Sequence, residues 1–131
     1  NRKNVRIIPP VPMNEIIGLT NSYDIGLFLV PPSNFNLKYT LPNKFFEFIQ
    51  ARLAIAIGPS IEMKKLVEKY DCGVVSSDFD PRSLAEELNK LTVEDIMKYK
   101  ENSHKAAGEL NAEVNKNRIL RIVDELTDGK R

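Results

Sequence analysis

The chain has no tryptophan, one cysteine and one histidine in its 131 residues. A single thiol, Cys72, excludes an internal disulfide and any cysteine-rich zinc site. It stands at the start of an apolar run, where a lone cysteine reads as a small buried hydrophobe and not as a nucleophile. Charge of one sign is also missing: 19 basic residues face 18 acidic ones, for a formal net charge of +1. Because the two signs are interspersed, no broad basic field is available to capture nucleic acid or an anionic membrane. No stretch approaches the ~20 apolar residues of a membrane span, and no secretory pattern opens the chain. A reducing, cytoplasmic setting is the expectation. P-loop, GxGxxG, HExxH and GxSxG signatures are all absent, and no carboxylate cluster suggests a metal.

What is present is ordinary globular composition, 42% hydrophobic and 28% charged, in a length that fits one domain with a real core. Short apolar runs alternate with helix-period segments over residues 1–91. Val5-Arg6-Ile7-Ile8, stopped by Pro9-Pro10, reads as a first strand. A short helix from Met13 to Ser22 follows. Ile25-Gly26-Leu27-Phe28-Leu29-Val30 is an unbroken apolar run, as expected of a strand buried on both faces. Residues 31–41 carry Pro, Ser, Asn and Thr without periodicity and read as a loop. A helix is expected from Asn43, then a strand at Ala54-Ile55-Ala56-Ile57, stopped by Gly58-Pro59. Ser60 is a candidate N-cap for the next helix, and Cys72-Gly73-Val74-Val75 is a fourth strand. Asp80-Pro81 sets an N-cap before an N1 proline.

Residues 92–131 change to helix alone. Thr92 with Asp95 forms a capping-box-like start. Apolar positions run at helical spacing to Val114, with a kink expected near Gly108. Ile119, Ile122, Val123 and Leu126 mark a last amphipathic helix, fraying over Asp128-Gly129-Lys130-Arg131.

This alternation predicts an α/β fold, a Rossmann-like parallel sheet flanked by helices, with a helical C-terminal tail. Ligands of such sheets collect beyond the carboxyl ends of the strands. That singles out the loops at 9–13, 30–43 and 57–61. Four parallel strands make a thin sheet, and the chain opens on Asn rather than Met. Both features read as a piece of a longer protein.

The richest chemistry lies in the second of those loops, with Ser33, Asn34, Asn36, Lys38, Tyr39, Thr40 and Asn43, followed by Lys44 and Glu47. A helix N-terminus offers unpaired N–H groups and partial positive charge, which suit a phosphate. Lys44 there opposes the helix dipole: either a phosphate relieves the conflict or solvent tolerates it. Glu47 can accept both hydroxyls of a ribose, though glutamate is common in first turns for dipole reasons alone. Gly58-Pro59-Ser60 suits either a ligand approach or a plain tight turn. His104, without a visible partner, reads as a surface histidine.

Taken in order, Asn21-Ser22-Tyr23-Asp24-Ile25, Pro32-Ser33, Leu41-Pro42-Asn43-Lys44-Phe45-Phe46-Glu47, Ala51 to Ile57, Cys72-Gly73-Val74-Val75 and Asp80-Pro81-Arg82-Ser83-Leu84-Ala85 resemble the C-terminal, donor-binding domain of family 4 glycosyltransferases, retaining enzymes of the two-Rossmann-domain (GT-B) type. The resemblance covers roughly two-thirds of the chain and implies the second half of that domain. It implies that Glu47 is the second glutamate of the family's Glu-x7-Glu motif, the one that holds the nucleotide ribose. The first would fall at Tyr39, a departure that resembles the capsule and lipopolysaccharide subgroup with Leu-Pro-x-Lys-x-x-Glu. Lys44 is then a diphosphate contact, with Ser33, Thr40 and Asn43 beside it. The implied reaction is sugar transfer from a UDP- or GDP-sugar to a glycan or lipid-linked acceptor, with no metal or other cofactor. The acceptor-binding N-terminal domain would be a partner outside this chain. Peripheral membrane association of the full-length enzyme at the inner face is implied, and exchange between protomers is one way for the first strand to find a neighbour. A GT-B nucleotide-sugar epimerase and a non-catalytic receiver- or flavodoxin-like module remain the alternatives.

Overall fold

The structure, a computed structural model, describes residues 4–128. The predicted fraying of residues 129–131 lies outside them. Ten elements follow one another: α1 (Met13–Thr20), β1 (Ile25–Phe28), α2 (Phe35–Lys38), α3 (Asn43–Gln50), β2 (Ala54–Ile57), α4 (Ile61–Tyr70), β3 (Gly73–Val75), α5 (Pro81–Asn89), α6 (Val93–Glu109) and α7 (Ala112–Asp128). The strands form one parallel sheet in the order β1-β2-β3. Ile25 pairs with Ala54 and Ile55 with Gly73, so β1 and β2 start level and β3 starts one residue later. The fold is α/β and Rossmann-like: a parallel sheet whose crossovers are helices, ending in a helical tail.

Burial follows from the order of the strands. β2, the middle strand, is buried at every residue, as an Ala-Ile-Ala-Ile run without a polar face requires. Phe45 and Ile49 of α3, Met63 and Val67 of α4, Cys72, and Ala106 and Ala107 of α6 complete one core around Ile55 and Ile57. Leu84 brings α5 into the buried set, where it packs on β2 and β3. Gly26 sets the approach of α3 to the sheet, because a Cβ there would run into the Phe48 ring.

Two strand expectations are corrected. Val5-Arg6-Ile7-Ile8 forms no strand; the segment has no regular structure and is exposed, with Ile7 at 90%. A β-branched run needs a ladder neighbour to become a strand, and this one makes no ladder with β1, whose outer edge stays unpaired. The sheet therefore has three strands instead of four. β1 itself is not buried on both faces, since Leu27 is 51% exposed. It is an edge strand covered by α3 on the Gly26 side, while Leu27 points to the other side. The 31–41 segment also holds a helical turn, α2, capped where the Asn34 side chain accepts the Leu37 N–H at 2.9 Å.

The helix ends obey local chemistry. Asp80 caps α5 ahead of Pro81, and Thr92 with Asp95 completes the capping box of α6. Instead of a kink at Gly108, the tail breaks at Leu110-Asn111. Asn111 accepts the Val114 N–H there and starts α7 as a separate helix. α3 and α4 both close with Schellman turns that lack glycine: Arg52 (φ 60°) and Asp71 (φ 49°) take the left-handed position. The Leu53 N–H reaches back to Phe48 and the Cys72 N–H to Val67.

Candidate functional site

The two ends of the sheet are built differently. α6 runs along the amino ends of the strands and contacts the chain just before each one. The Lys100 ammonium pairs with Asp24 at 2.8 Å and donates to the Tyr23 carbonyl. The Ser103 hydroxyl, wholly buried, donates to the Leu53 carbonyl at 2.6 Å. The Asn102 amide donates to the Asp71 carbonyl at 2.7 Å, and Lys98 pairs with the Asp71 carboxylate at 3.0 Å. That end of the sheet is closed by hydrogen bonds.

The carboxyl end is where the crossovers to α3 and α4 begin, and there it is partly filled. Ser76 is buried and donates to the Asp78 carbonyl at 2.7 Å, which holds the loop after β3 in place. Phe79 from that loop lies against Gly58, where a Cβ would strike its ring and Leu29. Gly58-Pro59-Ser60 is thus a tight turn packed under an aromatic ring, the simpler of its two readings. Ser60 precedes α4 without a side-chain cap bond. The loop at 9–13 leaves no strand and loses its claim as a sheet-end loop.

What stays open at this end is the β1 side, from the segment after β1 to the start of α3. Pro42 occupies the N-cap of α3 and provides no side-chain bond, so the first N–H groups of that helix have no such partner. Asn43, Lys44 and Glu47 fall within an arc of about 100° on the helix. This arc lies away from Phe45 and Ile49, which enter the core. Asn43 and Lys44 are exposed, and Glu47 is half-buried. Among the described residues, no hydrogen bond or ion pair engages the Lys44 ammonium or the Glu47 carboxylate. Thr40 is half-buried just before α3, and Ser33 is exposed ahead of α2. Three of the five predicted contacts therefore share one helix face, and the other two come from the segment leading to it.

Two surface depressions lie elsewhere. One, of about 630 Å³, is bounded by Asn4, Val5, Arg6, Ile8, Leu19, Thr20 and Tyr23. The other, of about 430 Å³, lies between α3 and the α6–α7 turn, lined by Phe46, Gln50, Leu110, Asn111, Ala112 and Asn115. Neither includes Ser33, Thr40, Asn43, Lys44 or Glu47. Both expose mostly apolar atoms and offer little to fix a polar ligand.

The remaining candidates are structural. Cys72 is buried and its thiol is pushed up to about 11, chiefly by loss of solvent, which makes it unreactive at neutral pH. His104 is exposed and its Nδ1 accepts the Arg52 Nε–H at 3.1 Å, a partner 52 residues away that no local pattern reveals. Ser103 also carries no signal in the sequence, because its role depends on which carbonyl the fold sets opposite it. Among the described residues, no group of three or more His, Cys, Asp or Glu gathers to hold a metal ion. No helix among them is long and apolar enough to cross a membrane. Comparison with known proteins returns no match to a family model, a curated protein or a solved structure.

Proposed function

We propose that the chain is the donor-binding portion of a retaining glycosyltransferase, holding a UDP- or GDP-sugar at the start of α3. The observation that carries the reading is the first turn of α3. Its amides lack a side-chain cap, a lysine sits against the helix dipole, and a glutamate without a protein partner stands one turn on. An anion beside those amides accepts hydrogen bonds and offsets the repulsion between Lys44 and the positive end of the helix. Glu47 adds a carboxylate that can take two vicinal hydroxyls. A nucleoside diphosphate combines both chemistries, and Ser33, Thr40 and Asn43 supply neutral donors around it.

In this reading the contribution to catalysis is electrostatic. Lys44 and the α3 amides stabilise the charge that grows on the leaving diphosphate, while Glu47 holds the nucleoside in register. The reading calls for no metal. It assigns acceptor binding to a separate N-terminal domain, so this chain by itself turns over no sugar. It also assigns the reaction to the cytoplasm, at the inner face of the membrane, where lipid-linked acceptors are presented.

Titration calorimetry with UDP and with GDP tests the proposal. The chain is expected to bind one of them weakly. Glu47→Ala removes hydrogen bonds to a charged group, worth about 1.5–3 kcal/mol, and weakens binding roughly 10- to 100-fold. Equal binding by the two proteins, or no binding of either nucleotide at millimolar concentration, refutes the assignment.

A further inference from the structure

We propose that α7 is a self-association surface on which a second copy of this chain docks its own α7 antiparallel, about an axis between Ile122 and Val123. The inference is independent of the nucleotide reading. α7 is a helix of 17 residues in which no residue is buried. Ile119, Ile122, Val123 and Leu126 recur at the spacing of one helix face, and all four are exposed. An isolated helix of this length is marginal in water, so its apolar stripe calls for a partner.

The order of the residues points to a second copy. The stripe is symmetric about its centre: reversing a second helix about the 122–123 axis sets Ile119 against Leu126 and Ile122 against Val123. Each seam position thus meets a side chain of similar bulk.

Charge gives the same direction. After Glu113 in its first turn, α7 places the exposed bases Lys116, Arg118 and Arg121 ahead of the exposed acids Asp124, Glu125 and Asp128. Past the first turn that order opposes the macrodipole, which favours bases near the C-terminus, where the described last turn has none and ends on Asp128. An antiparallel neighbour relieves it by laying each basic half along an acidic half. At finer scale, Arg118 and Glu125 border the stripe on the same side. In antiparallel helix pairs equal flanks face each other, so Arg118 meets Glu125 of the second copy, and the contact occurs twice. Parallel pairing instead brings Arg118 against the Lys116 edge, like charge against like.

One helix pair buries less than the ~800 Å² per copy of a standard interface, so the expected dimer is weak, with Kd on the order of 10 μM. Sedimentation equilibrium of the full chain between 1 and 200 μM, roughly spanning that value, measures it. Ile122→Glu puts two carboxylates at the axis and is expected to leave a monomer throughout that range. Its far-UV circular dichroism reports whether the α/β part stays folded. Arg118→Glu is expected to weaken association about tenfold, and the double exchange Arg118→Glu with Glu125→Arg to restore it, because the pair is rebuilt with its signs reversed. For orientation, chains carrying Ile119→Cys and Leu126→Cys are expected to cross-link to each other on oxidation, while Ile119→Cys alone does not. A chain that is monomeric at 200 μM, a dimer indifferent to both Ile122→Glu and Arg118→Glu, or a cross-link formed by Ile119→Cys alone overturns the proposal.

Discussion

Ser103→Ala tests the contact by which α6 closes the amino end of the sheet. The serine is fully buried, and its hydroxyl is the side-chain donor to the Leu53 carbonyl, 2.6 Å away at the entry to β2. Alanine keeps the backbone and most of the volume but leaves that carbonyl facing a methyl group, out of reach of water. A buried acceptor without a donor costs about 1–3 kcal/mol. At about 2 kcal/mol, the melting temperature of a domain this size falls by roughly 6–8 °C. A matched control is available in Ser22, whose hydroxyl makes the same kind of bond, to the Leu19 carbonyl at 2.7 Å, on the exposed surface. Water replaces that bond, so Ser22→Ala stays within about 0.5 kcal/mol of the parent. Thermal melts and urea titrations followed at 222 nm compare the two. Equal losses from both substitutions refute the claim that burial, and not the hydrogen bond alone, makes α6 a fixed wall.

Two further outcomes are expected. Asp71 holds a left-handed position at the end of α4 and an exposed ion pair with Lys98. Asp71→Gly loses the pair but relieves the backbone and changes urea stability by less than about 1 kcal/mol, whereas Asp71→Val loses the pair and strains the turn, costing about 2 kcal/mol or more; equal effects would show that the turn geometry is unimportant. Tyr70 donates to the Glu109 carboxylate at 2.6 Å, and burial together with that bond pushes its hydroxyl up to about 12. Its folded pKa lies above its unfolded one, so its contribution is fully present below pH 10 and is lost as pH rises toward 12. Urea midpoints measured from pH 8 to 12 should fall less steeply above pH 10 for Tyr70→Phe, and identical slopes would rule out this coupling.

The residues of the sheet's middle could be read without the fold. Ala54 to Ile57 is apolar at every position, a pattern that suits a strand covered on both faces, and it is buried throughout. Asp80-Pro81 and Thr92-Asp95 act within four residues of themselves, so their caps form as their chemistry dictates. Val5 to Ile8 has the same β-branched character as the true strands and fails because strand formation depends on a neighbour, which no local run of residues encodes. β1 shows the same dependence: its run is as apolar as that of β2, but as an edge strand it leaves Leu27 half exposed.

For the candidate site, the sequence by itself determined the chemistry. Lys44 and Glu47 in the first turns of a helix, after a polar segment, are properties of residue order and helical period. Tertiary structure decided which end of the sheet stays open. α6 closes the amino end through Ser103, Asn102 and Lys100, which lie 50, 31 and 76 residues from their partners. Phe79 closes the β2 corner of the other end over Gly58. Those contacts join residues far apart in the chain, through hydrogen bonds and packing that exist only once the sheet has formed. They leave uncovered the start of α3, where Asn43, Lys44 and Glu47 turn away from the core.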